Sequence, residues 1–168
     1  MNGGLAGLVL SVVTAATALN LFLTLRLAAR MRASEDRPGP LTVPIGARLP
    51  TIAGIDWTGE LTVVVFLAAG CPACRGKAGE LARLVPGMDR SGVRLLLVGM
   101  GDIRTLVAGT ALVERRITLD PDAVAALNPR GAAPAYIFVD GGGSALASDY
   151  LGDENWRTFA AEMLAAGS

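Results

Sequence analysis

Residues 5–25 are apolar around the whole helical circumference, whereas the rest of the chain alternates short apolar runs with amphipathic stretches. No charged side chain occurs in residues 1–25. About 20 such residues cross the hydrocarbon core of a bilayer. Because MNGG precedes the run and Arg26 ends it, we predict a retained transmembrane anchor over residues 1–29 rather than a cleaved signal peptide.

A linker and a folded domain are predicted after the anchor. Residues 30–45 mix charged side chains with Pro38, Pro40 and Pro44, a composition that is typical of a tether of some stiffness. The remaining residues, 46–168, change to strand-length and helix-length patterns and are predicted to form a single domain.

Strands and helices alternate in this predicted domain. Continuous apolar runs of strand length predict strands at residues 61–67, 93–98 and 117–119. Residues 134–140 and 145–148 read as a hairpin around Gly141, Gly142 and Gly143. Helical spacing predicts helices at residues 72–88, 102–114, 122–127 and 153–165, with Asp102 as the cap of the second. In the last helix one apolar face is predicted to contain Trp156, Phe159, Ala160, Met163 and Leu164. This order predicts an α/β fold, a mixed central sheet with helices on both faces.

Composition then excludes several kinds of chemistry. The chain has 15 Lys and Arg residues against 15 Asp and Glu residues, so no basic surplus favours binding of nucleic acid. It has no His, which excludes a Ser/His/Asp triad, a Cys/His dyad and a His metal ligand. We expect no nucleic-acid partner, no metal and no cofactor.

The candidate chemistry lies in the two cysteines, which form the sequence CPAC between a predicted strand and a predicted helix. At or near the helix N-cap, the sulfur of Cys71 faces free backbone N–H groups and the positive end of the helix dipole, which stabilise a thiolate. Cys71 is therefore the expected nucleophile. Cys74, one turn on, is close enough to form a disulfide with it and to resolve a mixed disulfide. Pro72 fits the first turn because its missing N–H has no intrahelical partner.

A second motif, RGAAPAYIFVD at residues 130–140, follows CPAC by about 60 residues. Together the two motifs resemble the thioredoxin-like superfamily over roughly residues 45–165. With the anchor, the chain resembles the membrane-tethered redoxins of cytochrome c maturation and methylamine utilisation. The resemblance implies that Cys71 is the attacking thiol, Cys74 the resolving thiol and Pro134 a cis-proline. It also implies that Ala133 pairs through its backbone with a bound substrate. We predict that Pro72 contacts the substrate together with Ala133 and Pro134.

The chain departs from the family pattern at several positions. Val65 stands where many thioredoxins carry a buried Asp that accepts the proton of the second thiol, and Gly70 stands where Trp is common. The residue before Pro134 is Ala133 rather than Thr or Val. Asp102 and Glu114 are the candidates to replace the missing carboxylate.

The resemblance implies a thiol-disulfide oxidoreductase that acts on Cys-containing protein substrates and is served by a redox partner protein. The alternative is a redox-silent membrane adaptor of the same fold. A peroxidase is disfavoured because Ala68 stands where peroxiredoxins need Thr or Ser, and zinc binding because two sulfurs are too few ligands.

Two signals disagree on the location of the domain. By resemblance, the chain is a single-pass protein of the cell membrane with the domain on the extracytoplasmic side. The positive-inside rule instead favours the cytoplasmic face, because Arg26, Arg30 and Arg32 follow the helix while no basic residue precedes it.

Overall fold

The computed structural model describes Thr17 and residues 42–52, 55–118 and 120–168, without the side chain of Arg116. Apart from Thr17, the predicted anchor at residues 1–29 lies outside the described residues, as does most of the predicted linker at residues 30–45. Within the described part of the chain, no helix combines the length and the apolar character needed to cross a membrane.

In the part of the chain that the structure describes, five strands form one mixed sheet. They are β1 (Thr62–Ala68), β2 (Arg94–Met100), β3 (Arg116–Thr118), β4 (Ala135–Val139) and β5 (Ala145–Tyr150). Their order in the sheet is β3-β2-β1-β4-β5. The first three strands are parallel to one another, and β4 is antiparallel to both of its neighbours. The apolar run of β1 occupies the centre, where it is covered on both faces, and residues 63–67 have no exposed surface.

Within the described residues, four helices cover the sheet. They are α1 (Pro72–Arg90), α2 (Arg104–Val107), α3 (Pro121–Leu127) and α4 (Glu154–Gly167). On one face, Val63 and Val65 of β1 belong to a buried cluster with residues of α1 and α4. On the other face, Val64 and Phe66 pack with residues of α3. The predicted mixed sheet with helices on both faces is thus confirmed.

The helix predicted at residues 102–114 is wrong in its extent and in its cap. Only Arg104–Val107 is helical, and the N-cap residue is Ile103. Asp102 instead accepts a hydrogen bond from the Arg104 N–H at 3.0 Å. The helix stops because Gly109 adopts a left-handed φ of 73° and the Thr110 hydroxyl donates to the Val107 carbonyl at 2.7 Å.

The predicted apolar face of the last helix is correct except at one position. Trp156, Phe159, Ala160 and Met163 are buried, but Leu164 is 49% exposed. Leu164 follows Trp156 by eight residues, a rotation of about 80° around the helix, so it lies at the edge of the buried stripe.

Candidate active site

The two cysteines lie where β1 ends and α1 begins. Gly70, with a left-handed φ of 75°, turns the chain out of the strand. Cys71 is the N-cap of α1, and its Sγ accepts a hydrogen bond from the Cys74 N–H at 3.2 Å. Pro72 is exposed in the first turn. Both cysteines are free thiols, and the arrangement directs a backbone donor of the helix N-terminus at the Cys71 sulfur.

The two thiols differ sharply in their surroundings. Cys71 is partly exposed, whereas Cys74 has no exposed surface. The Cys74 Sγ accepts a hydrogen bond from the Ala68 N–H at 3.5 Å, and its neighbours in the core include Val65 and Leu67. Burial, followed by its hydrogen bond with the Cys71 side chain, raises the pKa of Cys74 to about 11. Cys71 is therefore the thiol that another molecule can reach, and Cys74 is a protonated thiol behind it.

The positive charge of Lys77, in the second turn of α1, is already paired. Its Nζ lies 2.6 Å from the Oε2 of Glu80, and the other carboxylate oxygen of Glu80 accepts a hydrogen bond from the Trp156 indole at 3.1 Å. Burial raises the pKa of Glu80, but the hydrogen bonds from Lys77 and Trp156 outweigh it, so the net shift is downward. This network ties α1 to α4.

The second predicted motif borders the same end of β1. The Ala133–Pro134 peptide bond is cis. Because Phe66 lies opposite Ala135, the start of β4 is next to the end of β1 that leads to Cys71. Ala133 and Pro134 are half-buried. Within the described residues, the backbone N–H and C=O of Ala133 form no hydrogen bond with a protein group.

Among the described residues, no Asp or Glu side chain is fully buried as the carboxylate expected at the position of Val65 would be. Val65 is fully buried and lies opposite Tyr136 in β4. Asp102 and Glu114 are both exposed, so neither takes the place of that carboxylate. The same buried cluster contains Tyr136, whose hydroxyl donates to both carboxylate oxygens of Asp153 at 3.0 Å. Burial, followed by this hydrogen bond, raises the pKa of Tyr136.

Sequence analysis missed one polar residue near the site. Asn128, at the end of α3, is only 2% exposed and is hydrogen-bonded to the loop before Pro134. The Asn-Pro dipeptide at residues 128–129 is a turn signal, but it does not show which backbone groups the Asn side chain binds. In the described residues, no group of three or more acidic or Cys side chains is placed to hold a metal ion.

The mixed five-stranded sheet with helices on both faces is similar to solved structures of the thioredoxin-like fold. A thiol:disulfide interchange protein from Bacteroides sp. has 24% identity and a TM-score of 0.51, over 69% of this chain and 88% of its own. The thioredoxin domain of a thiol-disulfide oxidoreductase from Bacteroides vulgatus has 21% identity and a TM-score of 0.52, and the match covers 69% of this chain and 95% of that domain's chain. A thioredoxin-like protein from Parabacteroides distasonis has 12% identity and a TM-score of 0.51, and the match covers 70% of this chain and 95% of that protein's chain. No protein-family model and no curated protein matches the sequence. At these identities the likeness establishes the fold, and the predicted thioredoxin-like fold is confirmed.

Proposed function

We propose that this chain is a membrane-anchored thiol-disulfide oxidoreductase that exchanges a Cys71-Cys74 dithiol or disulfide with protein substrates. The observation that carries the proposal is the unequal placement of the two sulfurs. Cys71 is partly exposed at a helix N-cap, and Cys74, whose N–H donates to the Cys71 sulfur, is fully buried. A nucleophilic thiol needs access and a stabilised negative charge, whereas a resolving thiol needs only to reach the first sulfur.

The chemistry requires only the two sulfurs. In the reducing direction, the Cys71 thiolate attacks one sulfur of a substrate disulfide, which forms a mixed disulfide and releases one substrate thiolate. Cys74 then loses its proton to water or to a base of the partner, and its thiolate attacks the Cys71 sulfur. The Cys71-Cys74 disulfide forms and the second substrate thiolate leaves. Two electrons pass to the substrate, and the two protons given up by the cysteines balance those taken up by the substrate thiolates. The oxidising direction is the reverse.

The proposed partners are Cys-containing proteins and a second redox protein that restores the starting state of the dithiol. Thiol:disulfide interchange proteins among the solved structures of this fold support the reaction type. Because burial raises the pKa of Cys74 and Val65 replaces the expected carboxylate, we expect resolution by Cys74 to be the slower step.

The test is the equilibrium of the Cys71-Cys74 pair in dithiothreitol buffers, read by thiol alkylation of the full-length chain in non-ionic detergent. A reversible two-electron transition is the expected result, and its position separates a reductant from an oxidant. The Cys74→Ser variant should trap a mixed disulfide with a substrate, whereas the Cys71→Ser variant should trap none. If the two cysteines form no exchangeable disulfide, the enzyme proposal fails and a redox-silent membrane adaptor is the better account.

We propose that the domain lies on the extracytoplasmic side of the cell membrane, held by a single-pass anchor at residues 1–29. The family resemblance supports this side, and the Arg residues that follow the apolar run, Arg26, Arg30 and Arg32 among them, oppose it. Alkaline phosphatase fused after Ser168 should be active. A stable but inactive fusion would place the domain on the cytoplasmic face.

A further inference from the structure

One buried side chain closes the loop that precedes Pro134. The Oδ1 of Asn128 accepts a hydrogen bond from the Ala132 N–H at 2.9 Å, and its Nδ2 donates to the Ala132 carbonyl at 2.8 Å. The Asn128 carbonyl also accepts a hydrogen bond from the Gly131 N–H at 2.9 Å. Asn128 and Ala132 are both buried, so water does not reach these groups, and breaking one of the hydrogen bonds would leave a buried polar group without a partner. Asn128 therefore determines the path of the backbone up to Ala132.

The same amide also reaches the strand beside the cysteine motif. The Nδ2 of Asn128 lies 3.8 Å from the Sδ of Met100, the last residue of β2. Met100 is the partner of Ala68 in the sheet, and its carbonyl accepts a hydrogen bond from the Ala69 N–H at 2.9 Å. Asn128 thus connects the loop before Pro134 with the segment that leads into Cys71.

Ala133, which follows the residue that Asn128 holds, has backbone groups available for a partner. Ala133 is half-buried, and within the described part of the chain its N–H and C=O bond to no protein group. An extended peptide can pair with such a backbone through main-chain hydrogen bonds, provided that the backbone is held still.

We propose that Asn128 is a positioning residue for substrate docking. By fixing Ala132, it holds the N–H and C=O of Ala133 in place to pair with an extended peptide segment beside Cys71. This inference rests on the proposed exchange function, and what it adds is the part that Asn128 plays in holding the backbone that docks the substrate. A small disulfide without a peptide backbone gains nothing from Asn128.

The test compares two substrates of the full-length chain in detergent, a short peptide that contains one disulfide and hydroxyethyl disulfide. For Asn128→Ala we expect kcat/KM toward the peptide to fall by about fivefold or more through a higher KM. The reason is that the peptide loses the binding free energy of at least one hydrogen bond to the Ala133 backbone. The rate with hydroxyethyl disulfide should change by less than about twofold, and the Cys71-Cys74 potential should not move.

A second variant covers the case in which Asn128→Ala does not fold. Asn128→Asp has the same size and keeps the acceptor for the Ala132 N–H, but when ionised it loses the donor to the Ala132 carbonyl. It should show the same selective loss toward the peptide, whereas Asn155→Ala, which removes an exposed amide on α4, should show none.

Three outcomes overturn the inference. Equal losses with both substrates would mean that Asn128 only maintains the structure around Cys71. Unchanged rates with both would mean that the loop does not need the amide. If the unmodified chain exchanges with neither substrate, the proposed function fails and this inference fails with it.

Discussion

At the scale of single residues, the contrast between Cys71 and Cys74 is a contrast of burial. The Cys74 N–H donates to the Cys71 Sγ at 3.2 Å, yet only the Cys71 side chain is accessible. A thiol in an apolar core strongly disfavours its charged form, whereas a sulfur at a helix N-cap meets backbone donors. One turn of helix is therefore sufficient to give two chemically identical side chains different surroundings.

The buried thiol gives the reduced protein a pH-dependent stability. The pKa of Cys74 is raised by burial to about 11 from an ordinary value of 9.0. Since the folded-state value is the higher one, the reduced fold keeps this contribution below about pH 9 and loses it as the pH rises toward 11. We expect urea unfolding to show a larger loss of stability between about pH 8 and about pH 10.5 for the reduced chain than for Cys74→Ser. Equal losses would contradict the assignment. Tyr136, whose pKa is also raised, is common to both proteins and cancels in the comparison.

A second residue-scale prediction concerns the buried hydroxyl of Tyr136. It donates to both carboxylate oxygens of Asp153, a residue that also caps α4 by accepting a hydrogen bond from the Trp156 N–H at 2.8 Å. Tyr136→Phe should lower the free energy of unfolding by about 1–2 kcal/mol, because a hydrogen bond to a charged group is lost inside the core. Tyr150→Phe is the matched control and should stay within about 0.5 kcal/mol, because Tyr150 is 47% exposed. Similar effects of the two substitutions would show that the Tyr136 hydroxyl contributes no special stability.

At the scale of elements, the site depends on how closely α4 packs on α1. A Cβ built on Gly87 of α1 would lie 1.8 Å from the Met163 carbonyl oxygen of α4, so only glycine allows the observed contact between the two backbones. The Glu80 hydrogen bond to Trp156 joins the same helices nearer to the cysteines. Together these contacts fix the helix whose N-terminus carries Cys71.

Two glycines of α1 allow this packing to be tested within one helix. Gly87→Ala should destabilise the fold by about 3 kcal/mol, because the new methyl group meets a backbone rather than a flexible side chain. Gly79→Ala is the control, since a Cβ there meets nothing within 4 Å, and it should stabilise the fold by about 0.5–1 kcal/mol through helix propensity. The two free energies can be measured by urea unfolding. If Gly87→Ala is as stable as the unmodified chain, the helices do not approach each other this closely.

The elements that could be predicted from the sequence are those whose pattern is set by burial alone. The continuous apolar run of β1 and the cysteine motif after it are visible because a central strand has two covered faces. The length of α2 was not predictable in this way, since residues 102–114 keep a helical spacing while Gly109 and the Thr110 hydroxyl end the helix locally.

The part of the site that could not be predicted depends on contacts between distant segments. The position of Asn128 in the sequence indicates a turn, but its bonds to Ala132 and its contact with Met100 follow from how the loop returns to the sheet. The pairing of Tyr136 with Asp153 was hidden for the same reason, because 17 residues and a hairpin separate the two. The pattern of apolar residues predicts which face of a helix or strand is buried, whereas the hydrogen-bond partners of a buried polar side chain can be identified only from the three-dimensional structure.

At the scale of the whole molecule, the charged side chains act through hydrogen bonds with nearby groups, and there is no net charge to produce a long-range electrostatic field. The sequence is neutral overall and has no His. Asp56 and Asp140 have lowered pKa values because backbone N–H groups of their own turns donate to them, Thr58 to the first and Ser144 and Gly142 to the second. The hydrogen bond from Arg115 lowers the pKa of Asp89. All three carboxylates therefore favour the folded chain when ionised.

The whole-molecule prediction follows from the direction of these shifts. Because the folded-state pKa values of these carboxyl groups are depressed, their stabilisation is complete above about pH 4 and is lost as the pH falls below that value. With no His to titrate and with the two cysteines held as a disulfide, so that neither thiol titrates, stability should be flat between about pH 5 and about pH 8 and should fall as the pH is lowered from about 5 to about 3. Urea midpoints across this range measure the profile, and Asp140→Asn, which removes one depressed carboxyl group, should make the acid decline shallower. A sloping profile between about pH 5 and about pH 8 would show that another group, with an ordinary or displaced pKa in that window, is linked to folding.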